Sequence, residues 1–184
     1  MKQLLLGLAV LSMTAAANAF PALRTHDCKD YKQTKVGDIS LEEYGEGDPV
    51  ILVHGGPGFA GYMGEIVLPI CNKYRFIEYS QRDTQDSLSD GPYFIQNHID
   101  DLDMLVDHYT VNGVKPIIMG HSWGATLSML YAAQANNSDK IKRVVALSPG
   151  YVDANSFNAF FGTVLQRVGA IDPLQVQRAL ELNA

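Results

Sequence analysis

The 184-residue sequence has little cysteine, no dense basic run and no apolar stretch long enough to cross a bilayer. Each absence narrows what the chain can do. Lys and Arg number 14 against 20 Asp and Glu, a net charge of −6, so neither nucleic acid nor an anionic membrane surface is an expected partner. Neither the residue spacing of a metal site nor the glycine fingerprint of a nucleotide site occurs, so no metal and no cofactor is expected. Internal repeats and low-complexity tracts are also missing. What is present suits one ordinary globular domain with a sizeable core: 47% hydrophobic and 18% charged residues.

The first nineteen residues differ from the rest. Lys2 supplies a positive start, Leu4 to Leu11 is apolar, and Ala17-Asn18-Ala19 is a small-residue cleavage site. That order predicts a secretory signal peptide cleaved after Ala19 and a secreted or periplasmic protein. The apolar run is too short for a membrane span. Loss of Lys2 takes the net charge from −6 to −7. Cys28 and Cys71 remain, either paired in an oxidising compartment or as separate thiols, and the sequence does not decide between them.

From Lys35 onward, short apolar runs alternate with helical patterns. Asp38 to Tyr44 alternates as a half-buried strand, and Val50 to Val53 reads as a strand buried on both faces. Tyr74 to Tyr79, Pro116 to Met119 and Arg143 to Ser148 predict further strands. Helices are predicted over Tyr93 to Tyr109, where Ile95, Ile99, Leu102, Val106 and Tyr109 recur at helical steps, and over Gly124 to Ala135. The alternation predicts an α/β fold with a mostly parallel sheet covered by helices on both faces. After Gly150, a stripe from Phe157 to Val168 predicts a helix, and Asp172-Pro173 a second one.

The sharpest motif is Gly120-His121-Ser122-Trp123-Gly124, placed between a buried strand and a helix. A sharp turn there would lift the Ser122 hydroxyl above the strand ends as a nucleophile, with Gly120 and Gly124 leaving room for it. His54-Gly55-Gly56-Pro57-Gly58 follows an earlier buried strand. Attack on an acyl carbonyl needs backbone N–H donors aimed at the developing oxyanion. Trp123 would give one, and Gly56, or alternatively Gly55, the other. His54 is expected to support the loop, Pro57 to stiffen it and Gly58 to let it turn.

These two motifs resemble the proline iminopeptidase branch of the α/β-hydrolases from about Asp38 to Gly150. The resemblance implies an α/β-hydrolase fold and removal of an N-terminal residue, often proline, from a small peptide. It divides the chain into a leader (1–19), the N-terminal part of a hydrolase core (20–150) and the start of a helical cap (151–184). The branch carries Asp-Gln-Arg-Gly-x-Gly-x-Ser between the motifs. Here the segment reads Ser80-Gln81-Arg82-Asp83-Thr84-Gln85-Asp86-Ser87, so Gln81, Arg82 and Ser87 match while both glycines are replaced. An esterase, lipase or acyltransferase would use the same nucleophile and donors, and a non-catalytic binding protein could keep the same crevice.

The triad of this fold runs Ser, then Asp or Glu, then His. No histidine follows Ser122, so hydrolysis by this chain alone is expected to be impaired, and a complementing C-terminal fragment is a possible partner. His121 is expected to point away from the hydroxyl, His98 and His108 to be structural, and Asp153 is left without a role.

Overall fold

The computed structural model describes residues 31–56, 58–89, 91–151 and 153–171. The predicted leader, Cys28, His26, Pro57 and the helix predicted from Asp172 lie outside the described residues. Six strands form one sheet in the order β1-β2-β4-β3-β5-β6. They are β1 (Lys32–Val36), β2 (Ile39–Tyr44), β3 (Asp48–Val53), β4 (Tyr74–Tyr79), β5 (Ile117–His121) and β6 (Arg143–Leu147). Strands β4, β3, β5 and β6 pair in parallel, whereas β1 with β2 and β2 with β4 are antiparallel.

Among the described residues the α-helices are α1 (Met63–Val67), α2 (Ile95–Tyr109), α3 (Trp123–Ala133), α4 (Asn137–Lys140) and α5 (Ala154–Ile171). Alternation along the strands divides the core in two. Ile51, Val53, Ile77 and Ile118 face one way and pack on Leu102, Leu105 and Val106 of α2 and on Leu127 and Tyr131 of α3. Val50, Leu52, Phe76 and Ile117 face the other way, with Met63 and Val67 of α1 and with Cys71. Cys71 is buried and disulfide-bonded. β3 lies in the middle of the sheet, and Val50 to Val53 are all buried, which is why that stretch reads as an unbroken apolar run.

The sheet is therefore mixed, with its antiparallel pairs at one edge. β1 falls before the strands expected from the sequence because an exposed edge strand has little apolar signal. Its mark is the hairpin: Val36 pairs with Ile39 across the two-residue turn Gly37-Asp38, with Gly37 at φ +58°. α1 is five residues long and escapes a periodicity reading for want of length. α2 begins at Ile95 rather than Tyr93, since Phe94 is still extended (ψ 153°).

The packing of α3 on the sheet positions everything that follows. A Cβ placed on Gly124 would stand 2.0 Å from the Val53 carbonyl oxygen, and one on Gly120 would stand 2.2 Å from that of Gly124. Gly124→Ala is therefore expected to lower unfolding stability by about 1–3 kcal/mol, as overpacking does, read from the urea midpoint. An unchanged midpoint would mean that α3 can back away from β3.

Candidate active site

Ser122 sits between β5 and α3 with φ 53° and ψ −119°. A non-glycine residue there is strained by about 1–3 kcal/mol and persists only where its surroundings impose it. Its N–H donates to the Leu147 carbonyl (3.0 Å) and its carbonyl accepts from Ala125, Thr126 and Gly150 N–H groups at 3.1, 3.2 and 3.3 Å. The backbone is thus held on both sides while the hydroxyl is left at the end of the sheet. The side chain lines a cleft of about 390 Å³ with Gly55, Gly56, Phe59, Tyr62 and His121.

Two backbone segments adjoin Ser122 here, the start of α3 and the loop after β3. Trp123 is the first residue of α3, where the N–H has no acceptor inside the helix and the dipole is positive. On the loop after β3, the Gly55 N–H is already taken by the Tyr62 hydroxyl at 2.8 Å. Gly56 follows at φ +122°, and among the described residues its N–H has no acceptor. Gly58 has φ +100° and open space around it. The loop closes directly on the serine, for a Cβ on Gly55 would lie 3.1 Å from Ser122 Cβ and 2.9 Å from Tyr62 Oη.

Tyr62 has no signal in the sequence, yet it ties three parts together. Its oxygen accepts from Gly55, which leaves its proton free for His121 Nδ1 at 2.6 Å. The two rings meet edge to face at 5.6 Å and 82°. Tyr62 is placed in turn by Glu78 on β4. That buried carboxylate accepts from the Met63 and Gly64 N–H groups at 2.9 and 2.7 Å, at the start of α1. Burial raises the Glu78 carboxyl above its ordinary range, and these backbone bonds oppose the rise.

His54 is wholly buried, and both ring nitrogens are engaged. Nε2 accepts from the Gln81 N–H at 3.0 Å, so the proton lies on Nδ1, which faces the Gly55 carbonyl at 2.9 Å. The Gln81 side chain donates to the His54 carbonyl (2.8 Å) and accepts from the Trp123 indole (3.0 Å). It therefore bridges the loop after β3 to the helix that carries Trp123.

The segment 80–87 keeps the shape that glycines would give it. Asp83 and Gln85, standing where the resembled motif has glycine, adopt φ +54° and +47°. Local bonds offset that strain. Asp83 N–H donates to the Ser87 carbonyl (2.6 Å), Ser87 N–H to the Thr84 carbonyl (3.0 Å), and Ser80 Oγ to Gln85 Oε1 (2.7 Å). Arg82 pins the loop to α2 through both oxygens of Asp101, at 2.9 and 2.7 Å, a fork geometry that only arginine offers.

Other expected residues lie elsewhere. His108 is exposed. Asp153 serves as the N-terminal cap of α5, its carboxylate accepting the Ser156 N–H (2.7 Å) while Ser156 Oγ accepts the Asp153 N–H (3.1 Å). Among the described residues no imidazole is hydrogen-bonded to the Ser122 hydroxyl, and no group of His, Cys, Asp and Glu could hold a metal ion.

Burial lowers the pKa of His54 and of His98. Both are neutral in the fold, so their contribution to stability is complete above the ordinary imidazole value of about 6.5 and is lost as pH falls toward the folded values. The ring signals of both are expected to titrate below about 6.5 by NMR. Wild type should also lose stability relative to His54→Gln as the pH is lowered through that window. Midpoints at or above the ordinary value would contradict the burial seen here.

Comparison with known proteins places this geometry in a family. The alpha/beta hydrolase fold profile matches residues 48–184. A cis-3-alkyl-4-alkyloxetan-2-one decarboxylase of Shewanella oneidensis is 33% identical over 112 residues, which are 58% of this chain and 34% of that protein. Haloalkane dehalogenase 2 of Mycobacterium tuberculosis is 26% identical over 111 residues, 59% of this chain and 37% of the relative. An alpha/beta hydrolase from Sphaerobacter thermophilus superposes with a TM-score of 0.55 at 29% identity, covering 67% of this chain and 47% of that one. The chain thus spans about a third of the length of these curated relatives.

Proposed function

Because the chain belongs to the alpha/beta hydrolase fold family, we propose that it is a hydrolase whose Ser122 attacks an acyl carbonyl. The observation that carries this is the backbone of Ser122, strained at φ 53° beside two N–H groups, those of Trp123 and Gly56. A carbonyl carbon reached by Ser122 Oγ would become tetrahedral, and its oxygen would gain charge that those donors would stabilise. Gly55 does not serve, since its N–H is bound to Tyr62. Tyr62, His54 and Gln81 act as positioning residues: they hold the loop after β3 and the start of α3 at a fixed separation.

An uncharged ester or lactone is the favoured substrate class. The cleft at Ser122 is lined by Phe59, Tyr62, His121 and glycine backbone, and none of the described residues lining it is a carboxylate that would hold a free amino terminus. The two curated relatives reported above are named for an oxetanone and for haloalkanes, both uncharged compounds. The second reading is cleavage of an N-terminal residue from peptides, which the paired His54–Gly58 and Gly120–Gly124 motifs support. Export by residues 1–19 belongs to the same proposal. The disulfide at Cys71 accords with an oxidising compartment.

With no imidazole among the described residues bonded to Ser122, turnover is expected to be slow compared with covalent capture. A fluorophosphonate should add its mass to the wild-type protein at Ser122 and not to Ser122→Ala. Folded protein that binds the reagent without an adduct would mean a binding protein in place of an enzyme. Any turnover of a p-nitrophenyl ester should exceed that of a proline arylamide by at least about tenfold, and the reverse order would establish the peptidase reading.

A further inference from the structure

Glu78 stands on β4 opposite Glu42 of β2 and is only 4% exposed. One carboxylate oxygen accepts the Met63 N–H at 2.9 Å and the other the Gly64 N–H at 2.7 Å. The Gly61 N–H also favours its charged form. These donors bracket Tyr62, whose hydroxyl takes the Gly55 N–H at 2.8 Å. Gly64 leaves the room this needs, for a Cβ there would stand 3.0 Å from Glu78 Oε2 and 2.8 Å from Tyr44 Oη. A core-facing strand position is ordinarily apolar, as Phe76 and Leu52 beside Glu78 are, because a buried charge is costly to desolvate.

What a carboxylate adds at this position is a dependence on its proton. Ionised, its two oxygens accept both N–H groups; protonated, one oxygen becomes a donor and one N–H loses its acceptor. The surroundings bring that change within reach. Burial raises the Glu78 carboxyl above its ordinary range and Glu42 adds to the rise, while the Met63, Gly64 and Gly61 N–H groups oppose it. Tyr44 faces the group from β2 as well, its hydroxyl donating to Glu42 at 2.6 Å. Glu65 of α1 is exposed, and β3 presents Leu52. Arg75 lies an odd number of residues along β4, on the opposite face, and is bonded to Glu43.

We propose that Glu78 is a proton-operated latch on the loop after β3: ionised, it holds Tyr62 against Gly55 and so fixes the Gly56 N–H; protonated, it releases both. Glu78 is thus a positioning residue that acts through Tyr62. Its effect on reaction rests on Ser122 being the nucleophile, whereas its effect on the loop does not. Capture of a reagent at Ser122 is fast while Glu78 is ionised and slows as the pH falls through its ionisation.

The test follows the Gly55, Met63 and Gly64 amides by ¹⁵N NMR as the pH is lowered from neutral. In wild type all three should shift with one midpoint, above the ordinary carboxylate value of 4.5. In Tyr62→Phe, Met63 and Gly64 should keep that midpoint while Gly55 loses it. These two proteins decide the matter even where a Glu78 variant does not fold. In Glu78→Gln, which keeps the size and one acceptor, none of the three should show it. His54 reaches Gly55 from the other side and His121 reaches Tyr62. A Gly55 shift that survives either variant would belong to them and overturn the latch, as would a Gly55 signal that stays still while Met63 and Gly64 move. The rate of fluorophosphonate capture should be at least about tenfold higher in wild type than in Glu78→Gln near neutral pH, the ratio falling toward one as Glu78 is protonated. A ratio independent of pH would leave Glu78 a purely structural part and overturn the latch. Absence of an adduct at every pH would instead remove Ser122 as the nucleophile, and the Gly55 signal still decides the latch.

Discussion

The left-handed backbone of Ser122 is the constraint to which the neighbouring elements are fitted, and each of them leaves out a side-chain atom to meet it. Gly120 and Gly124 let the strand, the turn and the helix lie closer than any Cβ would permit, and Gly124 brings α3 against the carbonyl of Val53. Gly55 completes the enclosure from the loop after β3, where a Cβ would press on Ser122 itself. The strain is local, about 1–3 kcal/mol, while the packing that enforces it is shared among β3, β5 and α3. A relaxed turn at Ser122 would require those elements to separate. The hydroxyl is therefore displayed by the core of the sheet rather than by a loop of its own.

Around that turn, a set of buried polar groups fixes distances that apolar packing would leave loose. Gln81 joins the His54 carbonyl to the Trp123 indole, and Tyr62 joins Gly55 to His121. Glu78 anchors the chain on which Tyr62 sits. Each buried donor and acceptor in these links is satisfied by a partner from a different segment, so loss of one leaves another unpaired at about 1–3 kcal/mol. His98 stands apart from this arrangement. It is buried like the others, but among the described residues its Nδ1 has no hydrogen-bond partner.

Much of the fold was legible along the chain. The strand at Val50–Val53 announced itself by an apolar run, because a strand in the middle of the sheet is buried on both faces. β1 and α1 did not, since one is an exposed edge and the other is only five residues long. The loop 80–87 shows a different limit. Replacement of glycine by Asp83 and Gln85 suggests a changed backbone, yet both residues take positive φ. Local bonds offset their strain, while Arg82 to Asp101 on α2 and the Ser40 N–H donating to Ser87 Oγ (2.8 Å) tie the loop to residues far apart in sequence.

The sequence by itself determined the fold class and marked where a serine turn would sit in it. A G-x-S-x-G between a buried strand and a helix, with a glycine loop after an earlier strand, marks a sharp turn and a close-approaching loop because local backbone rules demand those residue types there. Only the tertiary structure decided which glycine N–H remains open, since that depends on Tyr62 arriving from seven residues away to occupy Gly55. It also decided that His54 is spent on Gln81, and that His98 lines a cavity beside Trp123. Those outcomes depend on which hydrogen-bonding atoms meet across the sheet. Pairing of that kind leaves no periodicity in a chain, because its partners are chosen by distance in space and not by distance in sequence.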